Sequence, residues 1–286
     1  MVSGVSTVVL SAMMAGFVAI LATVVIERRG GALGTAVTIP TTILPASLGI
    51  WSEAVDEVAF AASMSVVPVG MGLNVLFLMM WRFLPRYVEG RGRPGRQVLV
   101  VALVSVGAWA VTAALTVMVL DHIPDHLLAW TGISTTLLAI LLGVLGVLRS
   151  PPAPKGGSPV TLGTLLARGV AAALAIGASV WIASLGLPII SGMVSVFPAI
   201  FLTTMVSLWL AQGSAVPVGA TGPMMLGASS VSIHALICIP LFGALGPVIG
   251  TIVAWSIAVF GFSLPAGLWV WHRLGGASAE ATVDGA

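Results

Sequence analysis

The chain has 286 residues, of which 58% are hydrophobic and only 7% are charged, and its mean hydropathy is +1.15. A soluble domain carries roughly a quarter charged residues. Eleven Lys and Arg with nine Asp and Glu are therefore too few to cover a water-exposed surface, which excludes a cytosolic enzyme, a nucleic-acid-binding protein and a disordered protein. The single cysteine, Cys238, excludes a disulfide framework and a cysteine-rich metal site.

Apolar stretches long enough to cross a bilayer as helices, about 20 residues each, recur along the chain. The nine predicted spans run roughly over 5–26, 32–52, 58–83, 98–120, 127–148, 162–185, 188–210, 215–239 and 245–271. Their apolar runs are continuous, whereas the strands of a β-barrel alternate in polarity. We therefore predict an all-α, polytopic membrane protein with about nine transmembrane helices.

The basic residues predict the orientation of these helices. In the nine-span arrangement all of them fall on one side of the membrane: Arg28, Arg29, Arg82, Arg86, Arg91, Arg93, Arg96, Arg149, Lys155, Arg168 and Arg273. The opposite side holds Glu53, Asp56, Glu57, Asp121 and Asp125. The positive-inside rule then predicts a multi-pass protein of the inner or plasma membrane, with its N-terminus outside and its C-terminus in the cytoplasm.

Two segments of the chain share an unusual spacing. The stretch GTAVTIPTTILPASLGIW over 34–51 and the stretch GMVSVFPAIFLTTMVSLW over 192–209 both place Pro six residues after Gly and Trp eleven residues after Pro, at an offset of 158. This offset predicts a duplication, with a first four-helix repeat over 1–120 and a second over 162–273. A linking helix and a Pro- and Gly-rich cytoplasmic linker occupy 121–161, and residues 274–286 are expected to form a disordered tail.

In this arrangement the first repeat begins outside and the second begins inside, so the two repeats have opposite orientations. A 4+1+4 chain of this kind resembles the secondary transporters that are built from inverted repeats, at the level of architecture only. That resemblance implies alternating access around a site enclosed by interrupted helices near the middle of the membrane.

The predicted site lies on the second, third, seventh and eighth spans. Prolines near the middle of the second and seventh spans remove backbone donors, and the polar groups that they free must be satisfied by protein or by a wet cavity. The alternative is a plain kink with hydroxyls bonded to their own helix. The candidate substrate-binding residues are Thr38, Pro40, Thr41, Thr42, Asn74, Ser195, Pro198, Thr203, Thr204, Ser232 and His234.

We expect this site to be lined by hydroxyls, backbone and one amide, and not by charge, because no Asp, Glu, Lys or Arg lies near the middle of a predicted span. The predicted function is secondary or facilitative transport of a small neutral or anionic, amphipathic solute. The expected partners are the lipid bilayer and that solute, with a coupling ion left open, and nucleic acid is not expected.

Other functions remain open at this point. A non-transporting membrane scaffold or assembly protein is the main alternative, and a channel is less favoured because no filter-like loop is visible. Ser230 and His234, four residues apart, raise an intramembrane hydrolase as a further alternative, but no orienting carboxylate accompanies them. We therefore expect no enzyme, no catalytic residue, no cofactor and no metal.

Overall fold

A computed structural model of the chain describes residues 2–29, 39–90, 92–149 and 161–283. These residues form helices and turns, and no strand occurs among them. The helices are α1 Val2–Arg29, α2 Leu44–Glu53, α3 Glu57–Phe83, α4 Pro85–Val88, α5 Pro94–Leu120, α6 Asp125–Leu148, α7 Leu162–Ser184, α8 Pro188–Ser195, α9 Ala199–Gln212, α10 Ala215–Ser256 and α11 Leu264–Val283, with a π-helical segment Ile257–Ser263 before α11. The predicted all-α fold is confirmed.

Seven helical stretches in the described ranges are long and apolar enough to cross a membrane. The last of them, Ala215–Leu274, has 60 residues. As one straight helix it would extend about 90 Å, roughly three times the thickness of the hydrocarbon core. Its helical conformation is interrupted at Gly246, which has φ 76° and ψ 163°. The chain is thus a multi-pass α-helical membrane protein.

The chain reverses its direction at Gly246. A Cβ atom on Gly250 would lie 2.9 Å from the carbonyl oxygen of Leu241, a contact that a continuous helix cannot make. Before the turn Phe242 packs against Trp51, and after it the indole Nε1 of Trp255 donates to Thr41 Oγ1 at 3.0 Å. The chain therefore runs back alongside the same segment from Trp51 towards Thr41.

The helix ends gather at two ends of the bundle. The acidic end is defined by Glu53, Asp56, Glu57, Asp121 and Asp125, and the basic end by Arg82, Arg86, Arg93 and Arg149. At the acidic end a Cβ atom on Gly4 would lie 3.1 Å from Glu53 Oε2, and one on Gly243 would lie 3.5 Å from Glu57 Oε2. At the basic end Ser214 contacts Glu89, and the Arg82 guanidinium donates to the backbone carbonyls of Gly146, at 2.9 Å, and of Arg149.

Close helix crossings explain much of the glycine content. A Cβ atom on Gly222 of α10 would lie 2.6 Å from the carbonyl carbon of Gly146 in α6, and one on Gly143 would lie 2.8 Å from the backbone of Leu226. In lipid, helices associate through such backbone proximity because no hydrophobic force drives them together. The helices α3 and α10, which contact each other and α6, form the centre of the bundle.

The sequence predicts two irregular segments, the linker and the C-terminal tail. Residues 150–160, most of the predicted linker, lie outside the described residues. The last helix, α11, is described as far as Val283, and the disorder of the tail stays a prediction.

Candidate functional site

Two interrupted segments border one cavity inside the bundle. In the first, residues 39–41 are helical, Thr42 and Ile43 form a turn, and α2 starts at Leu44. In the second, α8 ends at Ser195, and α9 starts at Ala199 with Pro198 as its N-cap. Proline fits the first turn of a helix because a donor is not needed there, so Pro45 and Pro198 favour a new helix start at these places.

The cavity has a volume of about 280 Å³ and a mostly apolar lining. This volume is close to the lower end of the range for ligand pockets, about 300–1,000 Å³. Side chains of α1, α3, α7, α8, α9 and α10 and of the first interrupted segment surround it. The polar side chains in its lining are Thr42, Asn74, Arg168, Ser195, Thr204 and Ser207.

Asn74 ties the second interruption to α3. Its Nδ2 donates to the carbonyl oxygen of Val196 at 2.8 Å, and it also contacts the sulfur of Met71 at 3.4 Å. The Val196 carbonyl lies where the helix is broken, so the amide supplies a donor that the helix itself does not. The other amide atom, Oδ1, is buried and has no hydrogen-bond partner among the described residues.

Arg168 corrects the expectation of a site without charge. This side chain is only 5% exposed, and it lines the cavity. Its Nε donates to Thr203 Oγ1 at 3.1 Å and its Nη2 donates to Thr204 Oγ1 at 2.9 Å. The two threonine hydroxyls in turn donate to backbone carbonyls of α9, at 2.9 Å to Ala199 and 2.7 Å to Ile200. The threonines therefore orient the guanidinium.

The sequence places Arg168 with the basic residues that flank the spans, and this grouping concealed its role. Arg168 is the seventh residue of α7, about 9 Å along the helix axis from Leu162. Fewer than two helical turns separate Arg168 from the start of α7, and its long side chain reaches α9. A cation this far into a span is itself a signal for function, since charges in lipid are costly unless they have a role.

The structure brings four of the eleven predicted site residues together around the cavity: Thr42, Asn74, Ser195 and Thr204. Thr203 contacts the site indirectly, through its bond to Arg168. Pro40 and Pro198 are buried and border the two interruptions without lining the cavity. Thr38 lies outside the described residues.

The remaining predicted residues lie elsewhere in the bundle. Thr41 accepts the hydrogen bond from Trp255. Ser232 is fully buried on α10, outside the cavity lining, and its hydroxyl has no partner among the described residues. Neither Thr41 nor Ser232 lines the cavity.

His234 is also away from the cavity. Its Nε2 lies 3.2 Å from Cys238 Sγ and 3.5 Å from Ser47 Oγ, and the side chain is fully buried. Ser230 donates to the carbonyl of Gly227 at 2.7 Å, and no hydrogen bond joins it to His234 in the described part of the chain. Three or more His, Cys, Asp or Glu side chains placed to hold a metal are not found among the residues described.

The fold and site define a multi-pass α-helical membrane protein with a cationic and otherwise mostly apolar cavity between its helices. No protein-family model, no curated protein and no solved structure matches this chain.

Proposed function

We propose that the protein is a secondary or facilitative transporter, which moves a small anionic, amphipathic solute through the cavity by alternating access. The observation that carries this proposal is the position of the cavity, where two interrupted segments and a buried Arg168 meet inside a bundle of membrane helices. Non-helical backbone at membrane depth is tolerated only where protein or a cavity satisfies it, and transporters place their sites at such points.

Reciprocal packing supports an inverted repeat. At the offset of 158, Trp51 and Trp209 hold equivalent positions. The Trp51 ring contacts Phe60 and Phe242 at the acidic end, with ring centroids 4.9 and 5.4 Å apart. The Trp209 ring contacts Trp81 at the basic end, with ring centroids 6.0 Å apart. Trp81 belongs to α3, and Phe242 belongs to α10, which corresponds to α3 at this offset. Each Trp thus contacts an aromatic ring of the other proposed repeat, at opposite ends of the bundle, as expected if the second repeat is inverted with respect to the first.

The helix partners also correspond. At the offset of 158, α2 is equivalent to α9. Within the first proposed repeat α2 packs against α1 and α3, and within the second α9 packs against the equivalent helices α7 and α10. Equivalent helices also pair directly, α1 with α7 and α3 with α10. We propose a 4+1+4 arrangement on this basis, with α6 as the connecting helix and the basic end in the cytoplasm.

Accessibility of the cavity tests alternating access without knowledge of the solute. In a Cys238→Ala background, a cysteine replaces Ala172, which lines the cavity, and a small sulfonate-bearing thiol reagent that does not cross membranes is added to one side of oriented vesicles. We expect reaction from either side. A cysteine at Ala139, which is 2% exposed in α6 and outside the cavity, serves as the unreactive control. Reaction of the Ala172 position from one side only, in every condition, would contradict the proposal.

A further inference from the structure

We propose that the ligand of the cavity is a single-chain amphipathic anion, whose acidic headgroup binds at Arg168 and whose hydrocarbon tail lies in a groove between α5, α7 and α8. This inference names the substrate class of the proposed transporter and so rests on the same site. It concerns binding, and it can therefore be tested separately from transport.

The groove is a second space, of about 360 Å³, beside the cavity. Its lining is apolar throughout, apart from the indole nitrogen of Trp109, and consists of Trp109, Ala171, Leu174, Ala175, Val194 and Phe197. Leu174 is 69% exposed, so the groove opens on the outer surface of the bundle, which faces lipid in a membrane. A hydrocarbon tail is the occupant whose chemistry fits both the lining and the surroundings.

The groove and the cavity share a boundary. Ala175 and Phe197 line both of them. The Phe197 ring contacts the Trp109 ring edge to face, with centroids 5.3 Å apart, and Phe197 belongs to the interruption between α8 and α9. Because this side chain is carried by an irregular segment, a small change there would join the two spaces.

One face of α7 leads from the cation to the groove. Residues 168, 171, 172 and 175 follow the i, i+3, i+4, i+7 spacing that places side chains on one side of a helix. Arg168 is followed on this face by three alanines, over a rise of about 10 Å. Small side chains leave room for one alkyl chain to lie along the helix towards Trp109.

The headgroup end of this path favours an anion. Arg168 is buried and oriented by Thr203 and Thr204, and a guanidinium can donate in parallel to two oxygens of a carboxylate or phosphate. The N-terminus of α9 also borders the cavity, through Ala199, Ile200 and Phe201. A helix N-terminus carries partial positive charge, so it adds to the attraction of Arg168 for an anion.

Photolabelling of the full-length protein in nanodiscs of zwitterionic lipid tests the proposal. The probe is decanoate with a diazirine at the end of its tail. We expect cross-links to the peptides that contain Trp109 and Phe197. Excess decanoate should compete, whereas acetate, decanol and decyltrimethylammonium should compete at least tenfold less well, because each lacks either the tail or the negative charge.

Variants test the binding of the headgroup and the binding of the tail separately. Arg168→Gln should weaken competition by decanoate about tenfold or more, the size expected for loss of a charged hydrogen bond, and Arg168→Lys should retain part of the binding. Arg273→Gln, a loss of the same charge at an exposed position, should have no effect. Ala171→Phe leaves Arg168 in place but fills the groove, and it should abolish the cross-links. The matched control is Ala110→Phe, which changes an exposed alanine of α5 outside the groove.

Labelling spread evenly over lipid-facing peptides and unchanged in Ala171→Phe would show partition into the bilayer only, and would overturn the proposal. Equal competition by acetate or by a two-chain phosphatidate would overturn the assignment to a single-chain amphiphile. Specific binding, with entry of decanoate into proteoliposomes no faster than into protein-free liposomes, would leave the ligand class standing and contradict transport. Reaction of a cysteine at the Ala172 position from either side, without specific labelling by the probe, would support transport and contradict the proposed ligand.

Discussion

At the residue scale, the amide of Asn74 ties the second interruption of the chain to α3. The sequence predicts a polar role for Asn74 because a buried amide in lipid needs a partner. It does not predict which partner, since the Val196 carbonyl is distant in sequence and becomes free only because the helix breaks there. Arg168 was missed for a related reason, because hydropathy assigns a residue near a span end to the surface.

Replacement of Asn74 by Leu is expected to destabilise the protein. The Val196 carbonyl would lose its donor in a buried position, at a cost of about 1–3 kcal/mol. The midpoint of thermal unfolding in detergent should fall accordingly. Ser105→Ala is the matched control, because that hydroxyl is fully buried and has no partner among the described residues, and its loss should be nearly neutral. An unchanged midpoint for Asn74→Leu would argue against the capping role.

A substitution at Gly222 tests the close crossing of α6 and α10. A methyl group at this position would lie 2.6 Å from the backbone of Gly146, and backbone cannot move aside as a flexible side chain can. We expect Gly222→Ala to lower stability by about 1–3 kcal/mol, as overpacking does. Gly107→Ala, in α5, meets no atom within 4 Å and should be neutral or slightly stabilising, because alanine favours helix over glycine. Equal effects of the two substitutions would contradict the crossing.

At the element scale, the prolines of the second and seventh predicted spans indicate two helix interruptions, although Pro68 and Pro223 lie inside continuous helices. Hydropathy predicts which stretches can span a membrane. Both signals are local, since one reflects a missing donor and the other the length of apolar chain needed to span lipid. The sequence does not reveal which interrupted segments share a cavity. Thr42 and Ser195 line it whereas Ser232 does not, because the rotation of α10 about its axis depends on the crossing with α6.

The turn at Gly246 requires glycine because of its backbone conformation, and not because a side chain would clash with its neighbours. A Cβ atom there would meet no atom within 4 Å, but φ of 76° with ψ of 163° is a conformation that other residues rarely adopt. Gly246→Ala should therefore cost about 1–3 kcal/mol, seen as a lower midpoint of unfolding. Gly95→Ala, equally unobstructed but in a helix, provides the comparison. If both variants melt alike, the strain argument fails.

At the scale of the whole molecule, the separation of acidic and basic ends predicts how the protein lies in the membrane. In the Cys238→Ala background, a cysteine at Asp121 should react with an impermeant maleimide added outside cells, and a cysteine at Arg93 should react only in inverted vesicles. The two residues border the same helix, α5, at opposite ends. Reaction of both from the same side would refute the proposed orientation.

The pairing of α1 with α7 and of α3 with α8 and α10 has a consequence for biosynthesis. More than a hundred residues separate the end of α1 from the start of α7, so at about 5–20 residues per second α1 waits on the order of ten seconds in the bilayer for its partner. During this interval the glycine- and serine-bearing faces of α1 and α3 are available to membrane chaperones and proteases. Separate chains of residues 1–149 and 161–286, synthesised together, should therefore protect each other from degradation, whereas the first chain alone should be removed rapidly in a pulse-chase measurement.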